Sequence, residues 1–258
     1  MAERINVRIV LRAAVGGSTP MLVHPYDVDT ADKLKVWQAE NDKTKADLSV
    51  PGDDRTPAWR WSHSFYTTLV KDKRGREVEV LALPQDNVQA AMVSAGSAVK
   101  KWRGDKSGKH LATQGVGWNP APAVLLVNGQ AVEAEPMRDD AYKVALAMRG
   151  KPVGEAFKAQ IEVAKRHGHG HIGLDVRPVV IPGRQGGRHI RVRPSVTNWS
   201  AEFLATVEPH DVDALRDVLD LAGHGQGLGD YRPGAPKKPG IYGKFDAEVE
   251  VLGKGGVA

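Results

Sequence analysis

The sequence predicts an α+β fold with a strand–helix–strand–strand–helix–strand core, and three observations carry that prediction. Ile5, Val7, Ile9 and Leu11 alternate with Asn6, Arg8 and Val10 almost from the first residue, the period-two pattern of a half-buried strand. Phe245, Ala247, Val249 and Val251 alternate with Asp246, Glu248 and Glu250 in the same way near the other end. Between them, the segment 211–222 has apolar residues at 212, 215, 218, 219 and 222, one stripe of an amphipathic helix. Asp211 stands in its N-cap position and Gly223 where a C′ glycine belongs.

The remaining elements follow in order. After the first strand, Gly16 and Gly17 turn the chain into the short apolar run Thr19-Pro-Met-Leu-Val-His24, and Leu34 and Trp37 among many charges predict a solvated helix over 30–48. A Pro/Gly/Asp stretch at 51–57 breaks the chain, and 59–83 reads as a hairpin closed by Lys71-Asp-Lys-Arg-Gly-Arg76. Pro84-Gln-Asp-Asn87 opens a helix over 86–102, with Val88, Ala91, Met92, Ala95, Val99 and Trp102 on one face. Ala123-Val-Leu-Leu-Val127 is a short buried strand followed by an Asn128-Gly129 turn. Residues 139–166 are helix-prone in two pieces broken at Gly150 and Pro152, with Val153, Phe157 and Ile161 spaced by four. Val196 to Val207 alternates as one long strand leading into the 211–222 helix. This is the split β-α-β order of a ferredoxin-like domain. Its core segments fall near 4–12, 86–102, 122–127, 188–222 and 241–252, with insertions at 13–85 and 128–187, in a single elaborated domain over 1–258. In such a sheet the open face is available to nucleic acid, as in RNA-recognition modules.

Composition narrows the function classes. A formal net charge of +5 on 258 residues favours an acidic partner, read better from where the charge sits than from its sum. The absence of cysteine excludes disulfides and thiolate zinc sites. No apolar run resembles a signal peptide or reaches bilayer-spanning length, so a soluble, cytoplasmic protein is expected.

The basic charge is concentrated. Lys100, Lys101 and Arg103 cluster at the C-terminal end of the 86–102 helix. From Val176 to Ala201 the chain has Arg177, Arg184, Arg188, Arg191 and Arg193 and no acid. On a strand, Arg188-His-Ile-Arg-Val-Arg193 would put His189, Arg191 and Arg193 on one face, a basic ribbon. The segment 223–245 is rich in glycine, basic and aromatic residues. Gly227 and Gly229 would let backbone amides approach an anionic backbone, Arg232, Lys237, Lys238 and Lys244 supply charge, and Tyr231 and Tyr242 are placed to stack on bases. Because this loop follows a helix rather than a strand, a dinucleotide-binding reading is excluded. The loop and the 177–193 segment are the two expected walls of a nucleic-acid groove.

The helix ending in Gly227-Leu-Gly-Asp-Tyr-Arg-Pro233, the basic insert, Gly240-Ile-Tyr-Gly-Lys-Phe245 and the final strand resemble a widespread family of uncharacterised bacteriophage proteins. Thr19-Pro-Met-Leu-Val-His24, Pro84-Gln-Asp-Asn87 and Arg193-Pro-Ser-Val-Thr-Asn-Trp199 fit the same family, so the resemblance covers most of the chain. The glycine-rich loop between the second helix and the last strand also resembles the hallmark of the RAMP superfamily, the backbone and repeat-processing proteins of CRISPR systems. That resemblance implies a ferredoxin-like (RRM/RAMP-like) core binding single-stranded DNA or RNA through backbone contacts, with copies associated side by side along the strand. A phage-encoded protein of this kind would act in recombination, replication or RNA binding in the host cytoplasm, without a cofactor.

No P-loop, paired acidic metal site, nucleophile elbow or dinucleotide fingerprint occurs, which favours a non-enzymatic protein. RAMP-type repeat nucleases use a histidine general acid/base, so the resemblance offers His24 or His63 for that role in a metal-independent endoribonuclease. A phage interaction or structural protein without nucleic acid is the third reading. His167-Gly-His-Gly-His171 is the metal candidate, since His167, His169 and His171 would point the same way on a strand. The interleaved glycines favour instead a basic loop whose charge rises below a pH of about 6.5.

Overall fold

A computed structural model describes residues 3–14, 20–23, 59–99, 102–104, 106–180, 188–235 and 239–253, with 178–180 and 188–191 described in backbone only. In chain order the elements are β1 (Ile5–Ala13), β2 (Met21–Leu22), a 3-10 turn (Arg60–His63), β3 (Tyr66–Lys71), β4 (Glu77–Leu83) and α1 (Gln85–Gly96). A helical turn (Gly108–His110), a π-type turn (Leu111–Gly115), β5 (Gly117–Trp118), β6 (Ala123–Val127), β7 (Gln130–Ala131), α2 (Ala134–Ala147) and α3 (Val153–His167) follow. The chain ends with β8 (Ile172–Val180), β9 (Arg188–Val196), β10 (Trp199–Val207), a 3-10 turn (Pro209–Asp211), α4 (Val212–Leu221), a second π-type turn (Ala222–Gln226) and β11 (Phe245–Gly253). The expected 30–48 helix lies outside the described residues. The architecture is α+β, and the chain divides into two compact units. Met1–Leu22, Tyr66–Val132 and Val196–Ala258 form the first; Val23–Phe65 and Glu133–Ser195 form the second.

The first unit is an antiparallel sheet in the order β11-β1-β10-β6-β4-β3, with β5 added on β10 and β7 on β6. Its centre is set by the alternation in β1, whose Val7, Ile9 and Leu11 are fully buried. In register, Ile9 faces Phe203 of β10 on one side and Val249 of β11 on the other. Val88, Ala91, Met92 and Ala95 of α1 and Leu215, Val218 and Leu219 of α4 are buried, and the two helices pack on each other. Each large apolar side chain so buried is worth about 1.5–3 kcal/mol of transfer free energy.

Five expectations are revised here. The helix expected over 86–102 ends at Gly96, because Ala98 and Val99 turn back to the carbonyls of Ala95 and Gly96. Trp102 therefore leaves the stripe and donates its Nε1–H to Asp211 Oδ1 at 2.8 Å. The long strand expected from Val196 is broken at Thr197-Asn198, where Asn198 has φ 47° and its Nδ2 donates to Asn128 Oδ1 at 2.8 Å. The hairpin is shorter than 59–83, and it joins the sheet through Ala82 and Leu83 opposite Val124 and Ala123. Finally, Asp211 makes no side-chain cap for α4, since its carboxylate is held by Trp102 and Arg103. The helical path also runs through Gly223 and stops at Gly227, whose φ of 65° is the left-handed value that ends it.

The second unit packs α2 on α3, and α3 on β8, with β9 beside β8. Ala134, Met137, Ala141 and Ala145 of α2 meet a stripe of Ala156, Gln160, Val163 and Ala164 on α3, so small side chains allow the helices to close. Val153, Phe157 and Ile161, the expected stripe, are only half-buried. Gln160 lies in the buried stripe with both polar ends bonded: its Oε1 accepts from Trp61 Nε1 at 2.9 Å and its Nε2 donates to the Ala141 carbonyl at 2.8 Å.

Candidate nucleic-acid interface

The arginine-bearing strands lie in the second unit. β8 brings Asp175 beside Arg177, whose Nε donates to Asp175 Oδ1 at 2.7 Å, and Arg193 Nη1 of β9 stands 3.8 Å from Asp175 Oδ2. Arg193 is 2% exposed, which corrects the expected outward ribbon at that position. A guanidinium so deeply buried requires a nearby opposite charge. Asp175, just upstream of the acid-free stretch, supplies it. Arg177 keeps 38% of its side chain exposed while paired. Arg188 and Arg191 fall on β9. Arg184 lies outside the described residues.

The glycine-rich loop lies in the first unit and folds closely on its own backbone. Gly227 N–H donates to Ala222 O at 2.8 Å, Leu228 N–H to Gly243 O at 2.8 Å, Asp230 N–H to Leu22 O at 2.9 Å and Gly240 N–H to Arg232 O at 3.1 Å. Gly229 and Gly243 have φ of 75° and 71°, and a Cβ on either would collide with backbone oxygen, of Leu22 and of Leu228 respectively. These amides and glycines therefore build the loop. Tyr231 is held at φ 51°, and its carbonyl accepts from Tyr242 N–H at 3.2 Å; both rings are half-buried. Arg232 is half-buried and donates to the Gly229 carbonyl at 3.0 Å. Lys244 is half-buried. Lys237 and Lys238 lie outside the described residues.

Arg103 is taken up by acids distant in sequence: its Nη2 lies 2.7 Å from Glu208 Oε2 and 2.5 Å from Asp211 Oδ2, and its guanidinium sits 4.7 Å from the centre of the Trp102 ring. Hydrogen bonds to Glu208, and next to Asp211, hold its pKa above the ordinary guanidinium value. Lys100 and Lys101 lie outside the described residues. Glu208, His210 and Asp211 form the group of three potential metal ligands found among the described residues, with ligand atoms within 4.8 Å of one another. The short run Glu208-Pro-His-Asp211 was the available sequence signal for it. Arg103 already occupies both carboxylates with positive charge.

The histidine motif does not share a strand. His167 ends α3, His169 sits at φ 50° in the following turn and His171 precedes β8, so the shared orientation expected of alternating strand residues is absent. His167 Nε2 lies 2.9 Å from Asp140 Oδ2, and this hydrogen bond holds the Asp140 carboxyl below the usual carboxylate value. His63 is exposed on the 3-10 turn, with Nδ1 3.2 Å from Ser62 Oγ and its ring edge-on to Trp59 at 5.1 Å. His24 lies outside the described residues.

The outward face of the main sheet is laced with ion pairs. Arg8 lies 3.0 Å from both Glu202 of β10 and Glu250 of β11, and Arg12 lies 2.9 Å from Glu248. Asp246 continues the acidic row beside His224, at 3.3 Å. Acids thus outnumber arginines on β1, β10 and β11, which disfavours a phosphate backbone on this face.

No family model matches the chain, and no curated protein matches it in sequence. Among solved structures it is similar to a chain of a "CRISPR RNA-guided surveillance complex, pre-nicking", at 10% identity and a TM-score of 0.31, covering 96% of this chain and 78% of that one. A likeness of that degree supports no inference about fold or activity. In the described residues, no helix is long and apolar enough to cross a membrane.

Proposed function

We propose that the chain is a single-stranded nucleic-acid-binding protein of RAMP-like type, a single elaborated domain on a ferredoxin-like core. It is phage-encoded and associates with further copies along a DNA or RNA strand, in recombination, replication or RNA binding. The spatial order β11-β1-β10-β6 supports the core reading: taking β1, β6, β10 and β11 as first to fourth, the order is fourth, first, third, second, with α1 and α4 as the two helices. One observation carries the binding site: β8, β9 and the segment between them bring five arginines into the chain between 177 and 193, with Asp175 the adjacent acid. Arg177, Arg184, Arg188 and Arg191 contact phosphates in this reading, and buried Arg193 braces the strand that bears two of them. Tyr231, Tyr242, Arg232, Lys237, Lys238 and Lys244 provide the second contact region, shaped by Gly227 and Gly229, and Lys100, Lys101 and Arg103 add further basic contacts.

The test is fluorescence anisotropy with labelled single-stranded DNA and RNA. Binding should weaken with salt at a log–log slope of about 0.7 per neutralised phosphate. Replacing Arg184, Arg188 and Arg191 by alanine should remove at least tenfold of the affinity and lower that slope, whereas replacing Lys33, Lys35 and Lys43 should cost far less. Equal losses at both places would sink the site assignment. No binding at low salt would sink the function.

A further inference from the structure

The second unit carries an aromatic cluster that the arginine strands do not use. Trp61, in the 3-10 turn Arg60–His63, is fully buried and donates its Nε1–H to Gln160 at 2.9 Å, which anchors the turn in the core. Trp59 and His63, two residues to either side, stay outside that core. Trp59 is half-buried and His63 exposed, and their rings meet edge to face at 5.1 Å. Ser62 fastens the turn between them, since its Oγ donates to the Trp59 carbonyl at 3.0 Å and lies 3.2 Å from His63 Nδ1.

The turn packs on α2, where Trp59 meets a third ring, that of Tyr142, edge to face at 5.8 Å. Tyr142 is 46% exposed, and so is Leu146 one turn further along. The buried stripe of α2 is Ala134, Met137, Ala141 and Ala145, so Tyr142 and Leu146 each stand one residue past it, beside the packed face rather than in it. Core packing accounts for Trp61 and leaves Tyr142 with nearly half of its surface in water.

Charge indicates what such a surface takes. From Ala141 to Gly154 the chain has Lys143, Arg149 and Lys151, all exposed, and no acid; from Trp59 to Phe65 it has Arg60 and His63 and no acid. The acids that precede the first stretch are Asp139 and Asp140, and Asp140 is already taken by His167 and Arg166. The partner favoured here is anionic, and among anionic polymers a single-stranded nucleic acid carries a planar ring on every residue. Because the three rings of the protein are held edge to face before a ligand arrives, a base stacks on them at small entropic cost.

We infer that Tyr142, supported by Trp59 and His63, is a stacking platform for an unpaired nucleobase of a bound single strand. The inference rests on the nucleic-acid reading above and adds to it a contact made with bases rather than phosphates. α3 packs against both α2 and β8, which ties the platform and the arginine strands into one body. Phosphates bind by charge, and the platform binds what lies between them.

Fluorescence anisotropy of the full-length protein with two labelled strands of about 16 residues tests it, one of thymidines and one abasic, alike in phosphates and different in carrying bases. Wild type should bind the thymidine strand at least about fivefold more tightly, the lower end of what one base–aromatic stack contributes. Tyr142→Ala should bring the two affinities together by weakening the thymidine strand, His63→Ala should narrow the gap in part, and Tyr142→Phe, which keeps the ring, should retain the preference. At saturating protein, a 2-aminopurine placed in the thymidine strand should be quenched by wild type and less so by Tyr142→Ala, and circular dichroism checks that each variant is folded. Equal affinity of wild type for both strands, or a preference that survives Tyr142→Ala, overturns the inference and leaves the patch to a protein partner, while the arginine site still stands on its salt slope. No binding of either strand at low salt removes the platform together with the proposed function.

Discussion

The glycine-rich loop and the arginine strands look alike as sequence, both reading as surfaces for a phosphate backbone, yet they put their distinctive residues to different uses. In the loop, Gly229 and Gly243 admit neighbouring carbonyls, and the amides of Gly227, Leu228, Asp230 and Gly240 are hydrogen-bonded inside the fold. In β8 and β9, one aspartate stands among several arginines, hydrogen-bonded to Arg177 and 3.8 Å from buried Arg193. The lesson concerns what composition can report. Glycine content states that backbones approach closely without saying which backbone, whereas excess charge must be answered by something, inside the chain or outside it.

Substitutions can break this contrast, and the largest effect is expected in the loop. Gly243→Ala introduces both a left-handed alanine and a collision with the Leu228 carbonyl, so it should cost about 2–4 kcal/mol of folding stability in urea titration. Gly225, with open space around it, is the control and should change stability by under about 1 kcal/mol as alanine. Equal effects at the two glycines would mean that the loop is not built on its own backbone.

A somewhat smaller effect is expected at the centre of the arginine strands. Asp175→Asn removes the carboxylate beside buried Arg193 and should destabilise the protein by about 2–3 kcal/mol, a loss that salt does little to change. A thermal midpoint within a degree of wild type would show that Arg193 does not depend on Asp175.

The smallest effect sharpens the comparison at the end of α3. The Asp140 carboxyl is lowered, first by its hydrogen bond to His167, so it binds protons less readily folded than unfolded. The resulting stability is fully present above the unfolded carboxylate value of about 3.9 and is lost as pH falls through the lower folded value. Asp140→Asn should therefore lower stability in the neutral region and flatten part of the acid limb below about pH 4, so that variant and wild type converge as pH falls. An unchanged acid limb would remove the pair from the account.

Much of the fold was legible because its strands alternate cleanly. β1, β6 and β11 lie where Ile5–Leu11, Ala123–Val127 and Phe245–Val251 put them, and the stripe at 212, 215, 218 and 219 is the buried face of α4. What escaped were outcomes set by distant partners. Trp102 continues a helical stripe in sequence, yet Asp211 draws it out of register. Gln160 is polar by composition but lies in the core, where Trp61 donates to its oxygen and the Ala141 carbonyl accepts from its nitrogen. Arg8 and Arg193 both alternate with apolar residues. One lies on an exposed sheet face among glutamates and the other is buried beside an aspartate, a distinction no local pattern contains.

The position of β1 has a consequence for how the molecule comes into being. Its neighbours are β10, with Ile5 opposite Val207, and β11, with Ala13 opposite Phe245, so both partners leave the ribosome long after β1 does. Until then the strand that carries Val7, Ile9 and Leu11 lacks both of its partners. Pairings this remote make folding slow and leave a sticky nascent segment exposed. Production should accordingly respond to chaperone supply and growth temperature.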